Sequence, residues 1–111
     1  MNSLFVYGTL RPNEPNAHIL EKIGGIWKKG FVIGNLVESG WGAALGSPGI
    51  EVRCDGQKVY GYLFISDHLD EHWSWLDAFE GKEYQRTIVD VFLDDGEVFQ
   101  SQIYAVRNSQ F

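Results

Sequence analysis

The sequence predicts a mostly antiparallel sheet of five or six strands with one or two helices, an α+β domain or a partly closed barrel. Three observations carry this prediction. Apolar runs of strand length recur along the chain, and two Asp-Gly pairs, Asp55-Gly56 and Asp95-Gly96, punctuate them as hairpin turns do. One long stretch, from about Asp67 to Glu80, shows helical spacing with both of its ends marked. Aromatic residues make up 14% of a chain of only 111 residues, so a few large rings fill much of a small core.

Taken in order, residues 3–7 (SLFVY) read as a short buried strand. Residues 11–17 (RPNEPNA) are turn chemistry, in which Pro12 and Pro15 fix φ and remove two donors. Residues 17–24 fit a short helix closed by Gly24 and Gly25. Residues 26–38 (IWKKGFVIGNLVE) read as strand, interrupted at Gly30 and Gly34 by bulges or close backbone approaches. The stretch 39–49 (SGWGAALGSPG) is a loop of small residues. Asp55-Gly56 then separates IEVRC from QKVYGYLFI, and Asp95-Gly96 separates YQRTIVDVFLD from EVFQSQIYAV. Both pairs predict type I′ hairpins, which need positive φ at both central residues. Thr87, Val89, Val91 and Leu93 alternate with more polar neighbours, as one face of a half-buried strand does.

The size fits a single domain, residues 1–111. A net charge of −6 repels a phosphate backbone, which argues against a nucleic-acid partner. The single cysteine, Cys54, excludes an intrachain disulfide and suits a reducing compartment. No run approaches the roughly 20 apolar residues of a membrane span, and MNSLFVYG lacks the layout of a signal peptide. The expectation is a soluble cytoplasmic protein without a membrane partner.

The helix carries the first chemical signal. Ser66 is a suitable N-cap, Asp67, Asp70 and Glu71 suit the positive end, and Gly81 is a natural residue just past the last turn. On a wheel of about 100° per residue, Leu69, Trp73 and Leu76 fall in one stripe, and so does Glu80. Asp70 and Asp77 lie beside the stripe, and Glu71 lies nearly opposite. Glu80 is therefore the acid of this helix predicted to face the core side. Burial and the carbonyl end of the helix both disfavour its charge, pushing its pKa toward the range useful in general acid/base work. Two bland alternatives stand beside this: a frayed last turn that swings Glu80 into water, or a buried pair with an arginine such as Arg86.

Other patterns carry less. His68-Leu69-Asp70-Glu71-His72 matches the H-x-x-E-H of inverted zinc peptidases, but a zinc site needs a third ligand and a cleft. Two helix histidines at the surface explain it as well. Cys54 has no persuasive base nearby in sequence and reads as a small strand residue. Trp27, Trp41, Trp73 and Trp75 read as core or rim fillers. Gly8 lacks the Gly-Lys-Ser/Thr that a phosphate loop requires.

Together the pieces resemble the gamma-glutamylcyclotransferase-like family, especially its gamma-glutamylamine cyclotransferase branch and bacterial relatives. Phe5-Val6-Tyr7-Gly8-Thr9-Leu10-Arg11 is similar to the family's opening strand and loop, and Asn16-Ala17-His18 to the Asn-x-His that follows. Val59 to Phe64 is similar to its central strand. Leu76-Asp77-Ala78-Phe79-Glu80-Gly81, then Tyr84-Gln85-Arg86, resembles its Leu-Asp-x-x-Glu-Gly…Tyr-x-Arg segment, and Gln102 to Val106 its closing strand.

The resemblance implies a small mixed, mostly antiparallel β-barrel with one or two helices packed outside it. It also implies a cavity beside the Tyr-Gly-Thr-Leu loop and no metal or cofactor. It implies a reaction in which the free α-amine of a small γ-glutamyl amine or peptide attacks its own γ-carbonyl, releasing 5-oxoproline and an amine. Glu80 is then the acid/base, and Tyr7, Gly8, Thr9, Leu10, Tyr84, Arg86 and Tyr104 form the substrate site. Arg86 pairs with a carboxylate or braces its strand. Two features depart from the family pattern: Tyr62 stands where an acidic residue is frequent, and Gly40-Trp41-Gly42-Ala43-Ala44-Leu45 replaces a proline-containing loop. Trp41 is expected to alter the pocket mouth. A non-catalytic module binding a small ligand in the same cavity is the alternative reading.

Overall fold

The computed structural model describes residues 2–8, 10–14, 16–37, 49–81 and 83–106. The elements run β1 (Ser3–Val6), α1 (Ala17–Ile23), β2 (Ile26–Val37), β3 (Gly49–Val52), β4 (Gln57–Ile65), a 3-10 turn (Leu69–Glu71), α2 (Trp73–Glu80), β5 (Tyr84–Leu93) and β6 (Val98–Val106). The loop 39–48, with Trp41, and residues Thr9 and Pro15 lie outside the described residues.

The strands form one sheet in the order β3-β2-β4-β1-β6-β5, and β2 also pairs with β5. That last pairing closes β2, β4, β1, β6 and β5 into a five-stranded barrel, with β3 as an extra strand on β2. The β1–β6 contact is parallel and the other pairings are antiparallel, so the barrel is mixed. At the closing seam Gly30 faces both Gly61 and Leu93. A Cβ on Gly30 would stand 2.6 Å from the Phe92 carbonyl oxygen, so a glycine is what lets the two strands approach. β2 runs unbroken through Gly30 and Gly34: both are close approaches, and neither interrupts the strand.

Alternation along the strands sorts side chains into two buried layers. Phe5, Val32, Leu63, Val91 and Ile103 fill the barrel. Leu4, Val6, Phe64 and Tyr104 point outward and pack beneath Leu20 of α1 and Leu76 of α2. β1 is consequently buried on both faces, which explains its unbroken apolar sequence.

Two sequence expectations need correction. Asp95-Gly96 does join hairpin partners β5 and β6, but through a three-residue loop. Gly96 alone adopts positive φ (94°), and its N–H bonds to the Leu93 oxygen at 2.9 Å, as in loops that end on a left-handed residue. Asp55-Gly56 joins no hairpin at all. β3 and β4 lie on opposite sides of β2, and Gly34 pairs with Val52 of one and Gln57 of the other. The 53–56 turn crosses the backbone at Gly34, where a Cβ on Gly56 would meet the Gly34 carbonyl carbon at 2.6 Å. Cys54 sits exposed in this turn, not in a strand.

The predicted 67–80 helix is also shorter than expected. The Ser66 hydroxyl accepts the His68 N–H at 3.1 Å, as a cap would, and donates to the Gly24 oxygen at 2.6 Å. The chain then makes a 3-10 turn, and the α-helix begins only at Trp73. Gly81 ends it with φ 88° and an N–H bond to the Asp77 oxygen at 3.0 Å. Among the described residues, no helix is long and apolar enough to cross a membrane.

Candidate active site

The site begins where β1 ends. Arg11 N–H bonds to the Gly8 oxygen at 3.1 Å, closing a four-residue turn, and Arg11 Nε reaches the same oxygen at 3.0 Å. Leu10 is buried in the layer under the helices, which anchors the turn from below. Tyr7, just before it, is held at its hydroxyl from two sides. It donates to the Tyr104 main-chain oxygen at 2.7 Å and accepts the Ile50 N–H at 2.9 Å. One phenol thereby ties β1, β6 and β3 together.

Glu80 ends α2, one turn past the fully buried Leu76, while Leu69, also fully buried, belongs to the 3-10 turn before the helix. Its carboxyl is largely buried, and burial raises its pKa from 4.5 to about 7. The charge of Glu80 bears on two hydroxyls. Tyr7 is pushed above the ordinary tyrosine range chiefly by burial, against the Ile50 bond and with Tyr84 and Glu80 adding to the rise. Tyr104 is raised by burial first, then by Asp77, with Arg86 opposing and Glu80 adding. Glu80 thus lies near enough to Tyr7 and Tyr104 for its charge to act on both, and burial holds its proton near neutrality.

Arg86 pairs with Asp77, Nε to Oδ1 at 3.1 Å and Nη2 to Oδ2 at 3.4 Å, while its guanidinium lies 4.4 Å from the Trp73 ring centre. The Tyr104 hydroxyl donates to the same Asp77 Oδ1 at 2.5 Å. Asp77 is a residue to which the sequence reading assigns no role. The wheel sets it beside the apolar stripe, and its signal is its place as the Asp of the Leu-Asp-x-x-Glu-Gly segment, one turn before Glu80.

Tyr84, Arg86 and Tyr104 line an open cavity of about 690 Å³ together with Asp77, Gln85 and Gln102. Among the described residues, Tyr7, Gly8, Leu10 and Glu80 are not on its wall. Tyr104 joins the two groups, with its hydroxyl on the cavity wall and its main-chain oxygen on Tyr7. Tyr62 is half-buried on β4, edge-on to Trp27 at 6.3 Å between ring centres. The His68–Glu71–His72 pattern falls across the 3-10 turn, with His68 Nδ1 3.7 Å from Glu71 at the surface. Among the described residues, no group of three His, Cys, Asp or Glu side chains converges as metal ligands would.

A five-stranded mixed barrel with an added strand and two outer helices matches the AIG2-like α+β fold. A Bacillus subtilis protein, YkqA, superposes with a TM-score of 0.72 at 31% identity, over 96% of this chain and 36% of its own. An AIG2-like protein of Mus musculus superposes at 0.71 with 24% identity, over 100% and 79% of the two chains. A protein of Arabidopsis thaliana gives 0.69 at 26% identity, over 99% and 64%. The present chain therefore spans about a third of the length of the YkqA chain. Among curated proteins, none matches it in sequence.

Residues 4–110 match the family model for gamma-glutamyl cyclotransferase, AIG2-like, and the chain belongs to that family. Membership supports a cyclotransferase-type function in general.

Proposed function

We propose that the chain is a cyclotransferase acting on a small γ-glutamyl amine or γ-glutamyl peptide. The observation that carries this reading is Glu80, a carboxyl kept near pKa 7 by burial, set among tyrosines at the end of α2. The chemistry asks for such a group. The substrate's α-ammonium must lose a proton before its nitrogen attacks the γ-carbonyl, and the amide nitrogen must gain one before the C–N bond breaks. A single carboxyl with pKa near neutrality serves both transfers: it takes the first proton and returns it to the leaving amine. Nucleophile and electrophile share one molecule, so the protein has mainly to hold a folded conformer and exclude competing ones. Backbone N–H groups of Gly8 and Leu10, in the turn that the Arg11 N–H closes, would bind the α-carboxylate or the developing oxyanion. Tyr7, Thr9, Tyr84, Arg86 and Tyr104 complete the substrate site, and the proton chemistry requires no metal or cofactor. A cytoplasmic setting suits the one exposed thiol.

The test is an assay for 5-oxoproline with a panel of γ-glutamyl amines and γ-glutamyl dipeptides. Product is expected from at least one, and Glu80→Gln should lower kcat by about 10²–10⁴-fold. Binding of the panel without product would instead make the chain a small-ligand module. Product formed at an unchanged rate by Glu80→Gln would remove Glu80 from the mechanism.

A further inference from the structure

We propose that Asp77 is a positioning residue: gripped by Arg86 and the Tyr104 hydroxyl, it holds the last turn of α2 against β5 and β6 and keeps the Glu80 carboxyl turned away from water. The inference rests on the cyclotransferase reading for its catalytic meaning, but not for its test.

α2 needs such a hold. It has eight residues, and Leu76 is the one side chain it buries completely. A helix this short frays unless tertiary contacts fix it, and a single apolar anchor fixes position better than it fixes the end. Asp77 supplies the second anchor. Its side chain is 45% exposed, yet both oxygens are engaged, Oδ1 by Tyr104 and Arg86 and Oδ2 by Arg86. An exposed ion pair standing alone would hold little. This one does not stand alone. Arg86 and Tyr104 face each other directly across the β5–β6 ladder, so two neighbouring strands close on one carboxylate. The guanidinium also covers Trp73, four residues before Asp77 on the same face of the helix. Arg86 therefore spans α2 from its first residue to its last turn.

Glu80 follows three residues later. The groups that feel its charge are Tyr7 after β1 and Tyr104 on β6, and the Asp77–Arg86 pair joins the same helix end to β5. Burial is the cause of the raised Glu80 pKa. That burial lasts only while the last turn stays docked. If the turn is released, Glu80 reaches water and titrates nearer its ordinary 4.5.

Two variants test this without adding net charge. Tyr104→Phe removes one oxygen and leaves both the Asp77–Arg86 pair and the main-chain acceptor of Tyr7. The double variant Asp77→Asn/Arg86→Gln removes the pair with its charges balanced. The Glu80 carboxyl is followed by 13C NMR, its resonance identified by its loss in Glu80→Gln. In both variants the midpoint is expected to fall by about one unit or more. With a turned-over γ-glutamyl substrate, kcat should fall about tenfold, beyond any rise in KM from the loss of Arg86 and Tyr104 as cavity-lining residues. A midpoint unmoved to within about 0.3 unit in variants that melt as the wild type does would overturn the proposal. So would a raised KM with kcat and midpoint unchanged, which would leave Arg86 and Tyr104 as substrate contacts only. If Tyr104→Phe does not fold, the double variant decides alone. If the wild type makes no 5-oxoproline from any substrate, the cyclotransferase reading falls, and the titration still decides the role of Asp77.

Discussion

The two buried layers that meet at β1 differ in kind. Inside the barrel, Phe5, Val32, Leu63, Val91 and Ile103 pack without a polar atom in their side chains. Under the helices, Leu4, Val6, Leu20, Phe64 and Leu76 share space with Tyr84 and Tyr104, and Glu80 lies at their margin. The interior of a small barrel has no room for a ligand once its own side chains fill it. The layer under two short helices is closed on one side only, so it can hold polar groups whose hydrogen bonds finish at the surface. The purely apolar layer is suited to stability, and the proposed function draws on the second. The proposed acid needs the edge of a core, dry enough to raise a pKa and open enough to admit a substrate.

The sharpest way to break this comparison is to damage the barrel. Phe5→Ala removes a ring that is 1% exposed and should cost about 3–5 kcal/mol, read by urea unfolding. A loss below about 1 kcal/mol would mean that the barrel interior is not the stability core. Next in size is the effect of pH on Glu80. Its folded pKa of about 7 exceeds its ordinary 4.5, so the folded state binds the proton more tightly. Its contribution is fully present below about pH 4.5 and is lost as pH rises through about 7. Over that window the wild type should lose up to about 3 kcal/mol relative to Glu80→Gln, which has no proton to lose there. Parallel stability curves for the two proteins between pH 4 and 8 would sink the assignment.

The same contrast governs what the sequence makes legible. Glu80 can be read because helical periodicity is local: its position relative to Leu76 follows from 3.6 residues per turn within α2. The β5–β6 hairpin can be read for the same reason. Asp55-Gly56 carries the identical dipeptide and misleads, because β2 lies between the two strands it connects. Nothing near residue 55 records that insertion. It depends on Gly34, some 20 residues away (55 − 34 = 21), offering bare backbone for Gly56 to cross. The closing β2–β5 seam is hidden likewise, since a glycine in a strand announces a close approach but not the partner. Asp77 shows in the sequence only as one position of the Leu-Asp-x-x-Glu-Gly segment, and its role stays hidden because its meaning lies in Arg86 and Tyr104, two strand residues that become neighbours only through the β5–β6 register. Polar networks assembled across elements have no period to betray them.

Tyr7 belongs to both layers, and it is where the comparison can be probed most finely. Its ring packs against the barrel core, and its hydroxyl joins the Tyr104 oxygen to the Ile50 N–H. Tyr7→Phe keeps the ring and deletes only the hydroxyl. The cost should be about 1–2 kcal/mol, because one partly buried donor and one acceptor each lose a partner. If the layers are as separate as their packing suggests, this loss appears in the unfolding midpoint while Glu80 still titrates near 7, since Asp77, Arg86 and the Tyr104 hydroxyl remain in place. The Coulomb effect of Tyr7 on Glu80 does not oppose this, because a phenol held above its ordinary pKa range is neutral throughout the titration. A fall in the Glu80 midpoint comparable to that of Tyr104→Phe would show that Tyr7 holds the acid as well as the barrel, and that the two layers act as one.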